Sequence, residues 1–397
     1  MKKTNPVEKI HVLKESFIAS AILLFATYII SFIPWSLEYG KALHQGFADF
    51  DIYDLYYSEK NKQNTKRDSN IVLVQLDTGR NGIAQEIEWL NKCDPKAIAI
   101  DAFFEKDSPN DSAFKHIVLS EPNIIFLNRN TENGILPNIF YNKPDRCGFA
   151  NFIGNKYSVV RAFYPRITIN GKQYDAFAAC IARLVKPESY NELSCRNNEQ
   201  EIIDYKGNLE SYTSITADEV VQYLAAGQLQ SVIKNKIVLL GFFEKDSSNI
   251  VMDDLHYTPL NEVVSGKSYP DMYGVVIHAN ILSMILSKKY PTPPSAFISY
   301  LFAFVITFVF NYYIISRYSV KAHPSHAVFL IVQVFVILFV LYFFLKLYDW
   351  FLFKVSLEPI MIALVLSLEF FGIYESLAVW LNKKFQYITV FNRKHPL

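Results

Sequence analysis

The sequence predicts an α/β domain built on a mainly parallel, mixed sheet, carried by a chain with four transmembrane α-helices. Three observations lead there. The chain is 51% hydrophobic and 15% aromatic, and this apolar excess gathers in residues 17–36 and beyond residue 295. Between those regions, short runs rich in β-branched residues (IVLVQLD, AIAIDAFF, NIIFLN, KIVLLG) alternate with amphipathic stretches. Such alternation marks crossover units on a parallel sheet covered on both faces. Finally, basic residues cluster on one side of the apolar runs, as the positive-inside rule expects of membrane spans. A net charge of +1 gives no global basic excess, so nucleic acid is not expected as a partner.

Taken in order, residues 1–16 carry Lys2, Lys3, Lys9 and Lys14 and are assigned to a cytoplasmic N-terminus. Residues 17–36 follow as the first span, with no charge from 17 to 35 and a length close to the ~20 residues that cross the hydrocarbon. A cleaved signal peptide has a shorter apolar core and a small-x-small site. SFIPWS offers no such site, so the segment is assigned as an uncleaved anchor. Residues 295–378 hold three further spans, at 296–315, 327–345 and 351–377, and 379–397 form a tail. Basic residues at Arg317, Lys321, Lys383, Lys384, Arg393 and Lys394 place both termini in the cytoplasm. Lys346 and Lys354 flank the short outer turn, where they snorkel to the interface. Residues 37–293 are therefore expected as one extracytoplasmic domain, closed by the stiff boundary PTPPS at 291–295.

Within that domain, strands are expected at 70–77, 97–104 and 123–128, with a helix through IAQEIEWLNKC between the first two. CGFANFI and SVVRAFYPRITI read as antiparallel, with Gly154-Asn155 as their turn signal. Then come a helix at AFAACIARLV, a strand at EIIDYKG and a helix at TADEVVQYLAAG, where Thr216 and Glu219 fit a capping box. The stretch 236–286 closes the domain with a buried strand (KIVLLGFF), a loop (DDLHYTPL) and a helix (MYGVVIHANILSMIL).

Asp77 and Asp101 end strands that read as neighbours. Either their carboxylates face one crevice and hold a cation or polar ligand, or each caps a following amide. Asp254, Thr258 and His278 either converge on a ligand, or His278 is a core histidine whose bond to Asp254 pins the preceding loop. A second histidine at metal-ligand spacing is not evident, so neither metal nor cofactor is expected. The sequence carries no serine elbow, HExxH or phosphate loop, and Gly79-Arg80-Asn81-Gly82 reads as a turn, so no enzyme is expected. Cys93, Cys147, Cys180 and Cys195 fall outside the membrane, where disulfides are permitted. Three pairings are possible, with buried free thiols the alternative for Cys93 and Cys180. In the spans, Asn311, Gln333 and Glu369 lie at similar depth. Glu369 is either bonded among these helices, met by a partner subunit, or snorkelling beside Glu375.

Several of these segments carry a family resemblance. KNKIVLLG, DLHYTP (254–259) and GVVIHANIL (274–282), with Asp77 after IVLVQL, Asp101 in AIAIDAFF, and Gly148, Asn151 and Arg161 in the stretch between, resemble the type-two CHASE (CHASE2) family. These are extracytoplasmic sensory domains that precede bacterial histidine kinases, nucleotide cyclases and other outputs, with about three membrane helices after the domain. Thr78 stands where the family usually has a second acidic residue, and Lys156-Tyr157-Ser158 where it has an Asp-Gly turn. The resemblance implies a sensor in a bacterial inner membrane, with the domain in the periplasm and a small ligand or envelope protein as its outer partner. Residues 379–397 are too few for an output domain, so a separate cytoplasmic or membrane signalling partner is expected to read the spans. A homo-oligomer fits this reading. The alternative is a structural or adaptor subunit of a bacterial envelope complex.

Overall fold

Runs of consecutive apolar residues become the centre of a sheet, and the long apolar runs become helices. The computed structural model describes residues 6–31, 51–63, 67–106, 111–131, 134–139, 146–150, 152–153, 158–245, 254–261, 269–318 and 325–391. The chain forms two units, one of residues 1–44 and 292–397, the other of residues 45–291. Helix α1 (Pro6–Ser31) opens the first unit. The second begins with α2 (Ile52–Gln63), β1 (Asp68–Gln75), α3 (Arg80–Asn91), β2 (Ala97–Ile100), α4 (Asp111–Ser120) and β3 (Ile124–Thr131). It continues through β4 (Gly134–Leu136), β5 (Cys147–Ala150), β6 (Ala162–Phe163), β7 (Arg166–Ile169), β8 (Lys172–Asp175), α5 (Phe177–Val185) and α6 (Pro187–Arg196). Then follow β9 (Glu201–Ile202), β10 (Tyr212–Ile215), α7 (Ala217–Ala225), α8 (Leu229–Ile233) and β11 (Ile237–Gly241). The unit ends with β12 (Leu255–His256), β13 (Met272–Tyr273) and α9 (Gly274–Ser287). The first unit resumes with α10 (Ala296–Tyr318), α11 (His326–Phe351) and α12 (Glu358–Phe385).

In the α/β unit the main sheet runs β10-β1-β11-β2-β3, with β4 and β5 both on β3. All neighbours are parallel except β4. Helices cover both faces, which is why β2 and β11 are buried at every position. On one face Ile83, Ile87 and Leu90 of α3, Phe114 of α4 and Ile233 of α8 pack on Val72, Ile98, Ile100 and Leu240. Each fully buried side chain of this size contributes roughly 1.5–3 kcal/mol of transfer free energy. On the other face α5 packs against β2, β3 and β5, while α9 packs against β1 and β11. The capping box forms as expected: Glu219 N–H donates to Thr216 Oγ1 (3.2 Å) and Thr216 N–H donates to Glu219 Oε2 (2.7 Å).

Three expectations are corrected here. Strand β11 inserts between β1 and β2, so Asp77 and Asp101 do not end adjacent strands. CGFA itself joins β3 in parallel, and the expected antiparallel approach is confined to the end of CGFANFI, where Phe152 bridges Phe163 and the Ile153 N–H donates to Ala162 O (3.3 Å). A longer antiparallel ladder falls later, in the β7–β8 hairpin, whose turn uses Asn170 and Gly171 at positive φ. EIIDYKG shortens to β9, two residues paired with β6. The Gly154-Asn155 signal and Asn151 lie outside the described residues.

In the other unit, α1 packs on α10 and α12, and α11 packs on α12. Among the described residues, four helical stretches are long and apolar enough to cross a membrane: Lys9–Ile29, Ala296–Tyr318, His326–Phe351 and Glu358–Phe385. The first helix starts at Pro6, not at residue 17. Its early turns are helical because Val12 is buried in a cluster with Ile315 and Tyr374. The last two boundaries also shift. Phe351 ends α11, Leu352 terminates that helix at φ 53, and Pro359 sits in the first turn of α12.

Candidate functional site

The site is assembled where β2 and β11 end together. Asp101 N–H donates to Leu240 O (2.7 Å), which fixes the aspartate beside the last residues of β11. Gly241 closes that strand, and a Cβ there would stand 2.7 Å from Val275 Cγ2 and 3.2 Å from Asp101 Cβ. Only glycine lets the start of α9 approach this closely. Asp254 accepts a hydrogen bond from the Gly274 N–H, the first residue of α9, so it occupies a helix N-terminus suited to negative charge. Two residues on, in the short β12–β13 ladder, His256 pairs with Met272. Its Nε2 stands 3.8 Å from the position of a Cβ on Gly274.

One turn into α9 comes His278, only 4% exposed, with Nε2 4.0 Å from Asp101 Oδ1. Its Nδ1 is buried and, among the described residues, has no hydrogen-bond partner. The Phe152 ring packs on both imidazoles, at 5.1 Å from His256 and 4.9 Å from His278, and Phe177 meets His278 edge-on at 5.2 Å.

Burial dominates the electrostatics. It pushes the Asp101 carboxyl up to about 7, with the Asp254 charge adding to the rise. Asp254 is pushed up to about 6 by burial, against the opposing Gly274 N–H. Burial lowers the His256 imidazole and drives His278 down to about 3, the latter also repelled by His256. Near neutral pH the site therefore presents two uncharged imidazoles beside carboxyls that exchange protons. Crevices at the carboxyl ends of parallel strands are where α/β sheets hold ligands.

The family model of the CHASE2 domain matches residues 23–312, well over half of the chain. The chain belongs to the CHASE2 family. CHASE2 domains are extracellular sensory domains. Searches among curated proteins and among solved structures find no match.

Of the residues singled out in this CHASE2 sequence, Asp101, Asp254 and His278 come together, and two do not join them. Asp77 turns back on the β1–α3 loop, where its Oδ1 accepts from Gly79 N–H (3.3 Å) and from the Thr78 hydroxyl (3.4 Å). Its own N–H donates to Glu86 Oε2 (3.4 Å), a carboxyl that burial raises to about 8. Thr258 bonds to Asp271 instead, through its N–H (2.8 Å) and hydroxyl (2.5 Å), and this bond pins the loop. The expected His278–Asp254 bond is absent among the described residues, and the His278 imidazole faces Asp101 instead. His256 escaped the sequence reading although it lies two residues after Asp254. On an extended segment that spacing puts both side chains on one side. All four cysteines are free, Cys195 exposed and the others buried. Among the described residues, no group of three or more His, Cys, Asp or Glu side chains is placed to hold a metal ion.

The polar residues of the spans do not form one cluster. Asn311 donates to Ser20 Oγ (2.9 Å), and Gln333 donates to the Leu364 and Val365 carbonyls (2.6 and 3.0 Å). Glu369 is exposed. Among the described residues of this unit, the buried carboxyl is Glu15 on α1, which accepts a hydrogen bond from the Tyr374 hydroxyl of α12. Sequence reading assigned Glu15 to the cytoplasmic N-terminus and so passed over it.

Proposed function

We propose that the protein is a membrane-anchored sensor. Its α/β unit binds a small polar ligand outside the cytoplasm, and the membrane helices pass that binding to a separate signalling partner. The observation that carries this reading is His278: a buried imidazole whose Nδ1 is unbonded among the described residues, facing Asp101, on the first turns of α9. Acceptor carboxyls beside it suit a ligand that donates hydrogen bonds or carries positive charge.

The protein acts by binding, without catalysis. A ligand touching Gly274 and His278 acts on α9 directly, and residues 288–295 join α9 to α10 with prolines at 291, 293 and 294. Such a linker transmits displacement with little slack. A ligand shifts this equilibrium only by its differential affinity for the two arrangements. The family supports the sensory role, and the basic residues near both chain ends support a bacterial inner-membrane protein with cytoplasmic termini and a periplasmic α/β unit.

Crosslinking in cells, followed by purification of the full chain, tests this. Recovery of cytoplasmic or membrane signalling proteins, reduced by Asp101→Asn, is the expected result. Recovery of envelope structural proteins alone, indifferent to that substitution, would replace the sensor by an envelope-complex subunit.

A further inference from the structure

One face of α12 carries a row of side chains poorly suited to lipid alone. Ile362, Val365, Glu369, Gly372 and Ser376 follow one another at spacings of three or four, so they share a face, and all five are exposed on the chain. Among the described residues Glu369 has no hydrogen bond or ion pair, unlike Glu15 and Glu375, whose carboxylates accept from Tyr374 and Tyr318. Glu369 precedes Glu375 by six residues, about 9 Å along the helix axis at ~1.5 Å per residue. The Cα–Cβ bond tilts toward the helix N-terminus, away from the level of Glu375, so the carboxyl is held toward the middle of the span.

An unmet carboxyl at that depth is costly and marks a contact. Gly372, one turn along, has open space where a Cβ would stand, and Ser376 hides its hydroxyl on the Gly372 carbonyl (2.9 Å). Small residues four apart let two helix backbones approach closely in a membrane.

We propose that this face is the contact between two copies of the chain, with paired α12 helices crossing at Gly372 and the two Glu369 carboxyls hydrogen-bonded to each other. The occupant follows from depth. Every copy inserts the same way, so a second α12 is parallel and presents Glu369 and Gly372 at the same level, as a two-fold contact requires. Among the described residues, another copy offers no basic partner at the level of Glu369. Lys9, His11, Lys14, Arg317, His326, Lys346, Lys383 and Lys384 all stand toward the ends of their helices. The inference rests on the membrane reading above.

The test reconstitutes the full chain into phosphatidylcholine–phosphatidylglycerol liposomes and counts subunits by single-molecule photobleaching across protein-to-lipid ratios. The expected result is a reversible dimer that Glu369→Leu and Gly372→Ile each weaken about tenfold or more, while Glu369→Gln, which keeps a donor and an acceptor, stays within about threefold. Val334→Leu, on the exposed side of α11, should leave association unchanged. Monomers at every density, or a dimer indifferent to both Glu369→Leu and Gly372→Ile, would overturn the proposal while leaving the sensor reading standing. A chain that fails to float with the liposomes overturns the membrane reading and this inference with it.

Discussion

Replacing Asp101 by asparagine keeps the shape of the site and removes a proton-binding group. In the folded chain burial pushes this carboxyl from 3.8 to about 7. A group whose folded value is raised contributes stability that is full below pH ~4 and lost as pH climbs through ~7. At about 1.36 kcal/mol per unit the ceiling is about 4 kcal/mol, of which about 3 falls between pH 5 and 8. Only 15% of the side chain is accessible, so solvent screening takes little from this. His278 works in the opposite sense. Held down at about 3, it contributes stability above pH ~6.5 that is lost as pH falls toward 3. In the native chain the two trends offset each other. In Asp101→Asn the carboxyl part is gone, so the variant should gain on the native chain by about 3 kcal/mol as pH rises from 5 to 8. Hydrogen exchange of peptides spanning β11, measured on the full chain and corrected for intrinsic rates, reads the opening of this unit alone. Parallel pH curves for the two proteins would refute the burial argument.

Gly241→Ala should destabilise the α/β unit by about 1–3 kcal/mol, because the added methyl meets Val275 at 2.7 Å. The same exchange measurement checks it, and unchanged protection of β11 would contradict the close approach of α9. Tyr374→Phe should cost the helical unit about 1–3 kcal/mol, since it leaves the fully buried Glu15 carboxyl without that donor. Thermal unfolding of the full chain in detergent, followed through peptides of α1 and α12, would show a lowered midpoint there and none in β11.

Much of the fold was legible because burial on both faces writes itself into composition. IVLV, AIAI, NIIFL and KIVLLG could only be central strands, and each is one. Strand order was not legible: nothing local in KIVLLG says that it inserts between β1 and β2, a placement set by helix packing across the whole sheet. That one insertion separated Asp77 from Asp101. The edges failed for a related reason. CGFA carries no mark of direction, and its parallel pairing depends on α5 lying against Gly148, where a Cβ would come within 2.4 Å of Phe177 Cα. Within the site, the helix signal around His278 was strong, but the partners of an imidazole are decided in three dimensions. Asp254 is taken by the Gly274 N–H, which leaves Asp101 to face the ring. Glu15 went unread because four lysines around it resemble a solvated terminus, whereas α1 buries that side of the helix against Tyr374.

Cys195 offers the most direct test that the α/β unit stands outside the cytoplasm. It is the one exposed thiol among the four cysteines, all of which are described and free. Spheroplasts producing the full chain would be treated with a membrane-impermeant maleimide before and after lysis. Labelling of Cys195 in intact spheroplasts, abolished by Cys195→Ser, is the predicted result. Labelling that appears only after lysis would put the unit in the cytoplasm and contradict the account.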